Sequence, residues 1–118
     1  MQLNHLGLPV SDEERSLRFY STYFEFDPKT VTRYSDGTII VRNAHGFDLA
    51  LHRHPAPAAA PPFLHFGFRL PSREAVHALR DRMTADGLQL VSEDDEPDLL
   101  SFKVLDPDGF TIEVYWEP

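Results

Sequence analysis

Three residues of this 118-residue chain have the types and spacing to hold a metal ion: His5, His65 and Glu113. The two histidines sit in one recurring pattern, Leu3-Asn4-His5-Leu6-Gly7-Leu8 and Phe63-Leu64-His65-Phe66-Gly67-Phe68, sixty residues apart. A second echo aligns Gly46-Phe47-Asp48-Leu49-Ala50-Leu51 with Gly109-Phe110-Thr111-Ile112-Glu113-Val114, at an offset of 63. Successive side chains of a strand point to opposite faces, so His5 lies opposite Leu6, Leu8 and Val10, and His65 opposite Phe66 and Phe68. On the last strand Glu113 shares a face with Thr111 and Tyr115, away from Ile112 and Val114. Two neutral imidazoles and one carboxylate are the ligand set expected for Fe(II), Mn(II) or a catalytic Zn(II) with open positions for substrate. Gly7 and Gly67, two residues past each histidine, leave room for a ligand or a close backbone. The plainer alternative is a pair of hydrogen-bonded sheet histidines and a solvated carboxylate; three donors at equivalent positions of a doubled chain favour the metal.

Other groups fall on the same faces. Asp48 and His52 alternate with Leu49 and Leu51, and Tyr115 follows Glu113 by two, which makes Asp48 and Tyr115 expected substrate contacts. His52 is the expected proton carrier beside Glu113, because imidazole titrates near neutrality, although Arg53 and His54 next to it are equally consistent with a solvated cluster. Lys103 and Arg42 could bind an anion, and Lys103 is expected to touch substrate.

The repeat predicts the elements that position these groups. In the first module, about residues 1–54, a strand over 3–10 is followed by a helix from about Asp12 to Phe24. Ser11-Asp12-Glu13-Glu14 reads as its capping box, and Leu17, Tyr20 and Phe24 form its apolar stripe. Strands are expected at 29–34, 38–42 and 47–53. The proline-rich stretch 55–62 lacks amide donors and reads as a spacer. In the second module, 63–118, a strand at 63–70, a helix capped by Ser72 and ending at Ala85 before Gly87, and strands near 88–92, 100–105 and 110–116 repeat the order. Asp94-Asp95-Glu96-Pro97-Asp98 reads as an acidic loop. The expected fold is α+β, with two tandem β-α-β-β-β modules in a single domain.

Composition excludes several functions. Eleven Lys and Arg against nineteen Asp and Glu give a net charge of −8, which repels nucleic acid and anionic membranes. No cysteine is present, so disulfides, thiolate nucleophiles and Cys-bound zinc are excluded. No stretch matches a membrane span or a leader, and a soluble cytoplasmic protein is expected.

Asn4-His5-Leu6, the Phe19-Tyr20 pair, His65, and Asp106-Pro107-Asp108-Gly109-Phe110 followed by Glu113 together resemble the vicinal oxygen chelate superfamily, which includes glyoxalase I, extradiol dioxygenases, fosfomycin-resistance enzymes and bleomycin-resistance proteins. The resemblance spans the whole chain. It implies paired modules whose curled mixed sheets form a cupped site with helices on the outer face, and His5, His65 and Glu113 as ligands of one divalent ion (Fe, Mn, Zn or Ni). It also implies a homodimer with shared sites and a small-molecule substrate chelated through two oxygens, in dioxygenase, lyase or isomerase chemistry. Glyoxalase I is disfavoured because Ala50 stands where that enzyme has a second Glu, and fosfomycin thiol transfer because Gly7 stands at a Thr position. Bleomycin-binding members lack the ligand histidines. A non-catalytic protein that sequesters a small molecule is the competing expectation, with Phe47, Phe63, Tyr115 and Trp116 available for it. Glu25 occupies a position where relatives often carry Gly.

Overall fold

The protein is described by a computed structural model covering residues 1–55 and 60–118. Two compact units divide it, Met1–Ala58 and Ala59–Pro118. The spacer expected at 55–62 lies partly, at residues 56–59, outside the described residues. Among the described residues no helix is long and apolar enough to cross a membrane.

The first unit runs β1 (His5–Val10), α1 (Glu13–Tyr23), β2 (Asp27–Arg33), β3 (Ile39–Arg42) and β4 (Asp48–Arg53). Its strands lie in the order β1-β4-β3-β2, with β1 parallel to β4 and the other pairs antiparallel. The parallel pair demands a crossover connection, and α1 supplies part of it. α1 packs on β2, β3 and β4, and Leu17, Tyr20 and Phe24 are buried, as are Leu8, Val10, Ile39, Val41, Leu49 and Leu51 of the sheet. Each such side chain contributes about 1.5–3 kcal/mol of hydrophobic stabilisation. Tyr20 meets Phe19 and Phe26 edge to face, which fixes the helix on an aromatic seam.

The capping box shifts by one residue. Asp12, not Ser11, is the N-cap, its Oδ1 accepting the Arg15 amide at 3.0 Å. The Ser11 hydroxyl accepts from the Arg15 guanidinium, and Glu14 pairs with Arg33 at 3.0 Å instead of reaching back. Aspartate caps as well as serine does, and its charge also favours the positive helix end. Glu13 is buried and bonds the Arg53 guanidinium, tying α1 to the end of β4. Past the helix, Glu25 takes the left-handed conformation with φ of 60°, which glycine adopts without strain and other residues do not.

The second unit repeats this order as β5 (His65–Arg69), α2 (Arg73–Ala85), β6 (Leu90–Glu96), β7 (Leu99–Leu105) and β8 (Thr111–Trp116), with strands arranged β5-β8-β7-β6. β5 is parallel to β8 and the rest are antiparallel. Ser72 caps α2 through the Ala75 amide, and Val76 and Met83 are buried beside Leu100, Phe102, Val104, Ile112 and Val114. The expected acidic loop is instead strand. β6 continues through Asp94, Asp95 and Glu96, and only Pro97 and Asp98 form the turn. Cross-strand pairing with Leu99, Leu100 and Ser101 outweighs the poor strand propensity of the carboxylates, which sit on an edge strand with one neighbour.

The same turn feeds the last strand of each unit. Asn43 Oδ1 accepts the amides of His45 and Phe47, and 63 residues later Asp106 Oδ1 accepts those of Asp108 and Phe110. The Asp-Pro-Asp-Gly-Phe motif is therefore a side-chain-capped turn that sets the start of β8.

Candidate functional site

Pairing register places the sequence candidates on one face of each sheet, opposite the helix. Between β1 and β4 the partners are His5 with Asp48, Gly7 with Ala50 and Pro9 with His52. Between β5 and β8 they are His65 with Thr111, Gly67 with Glu113 and Arg69 with Tyr115. Paired residues point the same way, so His5, Asp48 and His52 share a face in the first unit, and His65, Glu113 and Tyr115 share one in the second. Lys103 joins the latter, because β7 pairs it with Glu113.

The second unit brings its donors into contact. His65 Nδ1 lies 2.8 Å from the Phe63 carbonyl oxygen, and its Nε2 lies 3.3 Å from Glu113 Oε2. A carbonyl only accepts, so Nδ1 must carry a hydrogen and donate it. In the neutral ring Nε2 then presents a lone pair to a carboxylate oxygen. Two acceptors then face each other, and either a proton on Nε2 or a metal ion beside the pair would satisfy both. Phe63 aims its carbonyl by adopting φ of 66°, a costly conformation for a non-glycine residue. Lys103 Nζ stands 4.0 Å from Glu113 Oε1. Beside these groups a pocket of about 400 Å³ is lined by His65, Lys103 and Thr111 together with Pro61, Phe63, Leu64 and Val91.

The first unit presents a different face. Asp48 is clamped by Arg42, whose Nε and Nη2 donate to its two oxygens at 2.7 and 2.9 Å. That guanidinium holds the Asp48 carboxyl below the usual aspartate range, with the nearby His5 adding to the effect. His5 is exposed, its Nδ1 3.4 Å from Asn4 Oδ1. His52 Nδ1 shares a hydrogen bond of 3.2 Å with the Thr38 hydroxyl.

Of the two expected uses of the glycines, room for a ligand or a close backbone, Gly67 shows the second, and a ring also sits close to each glycine. A methyl group on Gly7 would stand 3.2 Å from His52 Nε2, and one on Gly67 would stand 3.3 Å from the Tyr115 ring and 3.2 Å from the Glu113 carbonyl. Each glycine is a seat for a ring from the neighbouring strand, and His52 and Tyr115 occupy equivalent positions in the two units. Neither unit by itself gathers three His, Asp or Glu side chains round a metal-sized point among the described residues. The second supplies two.

Sequence reasoning missed Phe63 as the residue orienting His65, Thr38 as the partner of His52, and Val91 as a pocket wall. The first is a backbone carbonyl, which no side-chain pattern reveals. Val91 reaches the pocket through an irregularity, because pairing jumps from Leu90–Val104 to Ser92–Lys103 and leaves it as an extra residue.

Comparison with known proteins agrees with this architecture. A possible glyoxalase from Bacillus cereus is 30% identical, with a TM-score of 0.80 and 97% of each chain covered. The fosfomycin resistance protein FosX from Listeria monocytogenes superposes with a TM-score of 0.84 at 18% identity, covering 100% of this chain and 94% of that one. Lactoylglutathione lyase from Agrobacterium tumefaciens has a TM-score of 0.75 at 18% identity, covering 98% and 92%. At such identity the last two share the fold alone. No curated protein matches the chain. The model of the Glyoxalase/Bleomycin resistance protein/Dioxygenase superfamily matches residues 2–114, and together with the doubled β-α-β-β-β topology this shows that the chain belongs to that superfamily.

Proposed function

We propose that this chain is a small divalent-metal-dependent enzyme that chelates its substrate through two oxygens, with His65, Glu113 and His5 as the protein ligands. The observation that carries the reading is the His65 ring, tied at Nδ1 to the Phe63 carbonyl and facing the Glu113 carboxylate at 3.3 Å with Nε2. A carbonyl on the far nitrogen is the usual orienting partner of a metal-bound imidazole, and it raises the basicity of Nε2. His5 occupies the equivalent strand position and serves as the third ligand, from its own chain or from a second copy in a homodimer.

When bound, the ion acts as a Lewis acid and stabilises negative charge on a substrate oxygen. The chain's own residues divide the remaining work. His52 is the proton carrier, its Nδ1 anchored on Thr38 and its Nε2 available to take or give a proton. Lys103 and Tyr115 contact substrate on the Glu113 face, and Asp48, held by Arg42, presents a fixed charge on the His5 face. Gly7 pairs with Ala50 where the second unit pairs Gly67 with Glu113, so the first unit offers no second carboxylate as a fourth ligand at that position. Three protein ligands leave positions for two substrate oxygens and favour dioxygenase or lyase chemistry over the isomerase reaction of four-ligand relatives.

Calorimetric titration with Fe(II), Mn(II), Zn(II) and Ni(II) in turn tests the reading. At least one ion should bind the unaltered protein, and Glu113→Gln and His65→Ala should each weaken it. Light scattering should give the mass of a dimer. Binding of no ion above the level of the His5→Ala/His65→Ala double variant would overturn the enzyme and leave a protein that sequesters small molecules, a reading the apolar pocket wall at Phe63, Leu64 and Val91 favours.

A further inference from the structure

We infer that the pocket of the second unit takes a small monocarboxylic acid with an apolar body, its carboxylate on Lys103 and its body against Phe63, Leu64 and Val91. This rests on the reading of His65 and Glu113 as the reaction centre and names the substrate class for it. The pocket, about 400 Å³, has the size of a small-molecule site.

Three large apolar side chains border it in the open: Phe63 is 98% exposed, Leu64 57% and Val91 54%. Exposed apolar residues are ordinary when scattered, but three around one pocket mark a surface that gains by being covered. Val91 is brought there by the irregularity in β6, a device that re-aims a side chain beside a site.

The polar side of the pocket selects charge. Lys103 makes no hydrogen bond among the described residues, and its one charge partner, Glu113, stands at 4.0 Å, beyond hydrogen-bond reach. Its three donors are therefore available, and Thr111 adds a hydroxyl to the same wall. A neutral ligand closing the pocket would strip water from Lys103 without replacing it, whereas a carboxylate restores a charge-assisted bond. A dianion would set two charges against a single ammonium that already faces Glu113, on a chain of net charge −8. One negative charge on an apolar body is the ligand that leaves neither wall unsatisfied.

The test uses the full-length, metal-free protein in chelator, with binding followed by calorimetry and by NMR shifts of the pocket amides. The probes are phenylacetate, its neutral counterpart 2-phenylethanol, the cation phenethylammonium, the dianion benzylphosphonate, and acetate as the head alone. Phenylacetate should bind about tenfold or more tightly than each of the others, as one charge-assisted bond allows. Lys103→Met should abolish the preference for acid over alcohol, Lys103→Arg should keep it, and the shifts should centre on Leu64, His65 and Val91. Equal binding of acid and alcohol, tighter binding of benzylphosphonate, shifts elsewhere, or a preference surviving in Lys103→Met would each overturn the inference. A metal titration of the same protein, dialysed free of chelator, separates it from the enzyme reading: acid preference with no metal binding sinks the metal centre alone, and metal binding without acid preference sinks this inference alone.

Discussion

The two units place different chemistry on the same three rungs. Beside the histidine the first unit has Asp48 and Arg42, locked together, while the second has Leu105 and Thr111, the latter lining a pocket. On the middle rung Gly7, Ala50 and Ile40 are uncharged, while Gly67, Glu113 and Lys103 carry both signs. On the last, His52 stands on Gly7 with Thr38 behind it, and Tyr115 stands on Gly67 beside Ser101, whose buried hydroxyl has no partner among the described residues. Duplication kept the scaffold and the histidine, and the copies diverged at the groups that surround it. The first face is largely satisfied internally, and the second holds the unsatisfied groups.

The comparison breaks first through the cores that hold the rungs. Phe102→Ala in the second unit and Tyr20→Ala in the first each remove a fully buried ring and should cost about 3–5 kcal/mol in urea denaturation. Equal losses would show both units to be needed for one cooperative fold, and separate transitions would show that they melt apart. Next, Glu113→Gln should weaken metal binding by more than the roughly 10–100-fold that loss of an outer partner costs, whereas Asp48→Asn, at a position already spent on Arg42, should leave it within about that range. Gly67→Ala should destabilise by about 1–3 kcal/mol because its methyl meets the fixed Glu113 carbonyl. Gly7→Ala meets only side-chain atoms, those of the His52 ring, which can give by a few tenths of an ångström where a backbone carbonyl cannot, and should cost less than about 1 kcal/mol. Glu25→Gly should stabilise the first unit by about 1 kcal/mol by relieving its left-handed backbone.

The smallest effect is that of pH. The Arg53 side chain holds the Glu13 carboxyl below its ordinary value of 4.5. A lowered folded value means stability fully present above pH about 4.5 and lost as pH falls through the folded value. Glu13→Gln should therefore flatten the acid limb of the stability curve and leave the neutral plateau only slightly lower, as read by urea midpoints from pH 7 to pH 3.

Much of this is legible in the sequence. The offsets of 60 and 63 predict two equivalent units, and strand alternation puts Glu113 and Tyr115 on one face of their strand and His65 opposite its apolar neighbours, because the pleat has a strict period of two; the pairing of Lys103 with Glu113 is visible only in the fold. What stayed hidden depends on departures from that period or on groups that carry no side-chain signal. Val91 enters the pocket only because β6 gains a residue, and Phe63 acts through its carbonyl. The acidic run 94–98 reads as a loop by composition, yet pairing with β7 makes most of it strand. Ser11 and Asp12 are both good caps, so only the backbone decides between them.

That acidic strand has a consequence for solubility. Among the described residues β6 borders its sheet with one side unpaired, and it carries Glu93, Asp94, Asp95 and Glu96 in succession, two of them braced by Arg80 and Arg73 from α2. A neighbouring molecule trying to extend the sheet along this border meets a row of like charges, so the ribbon guards itself against fibril growth. Acidification, which neutralises the row, would lift that guard.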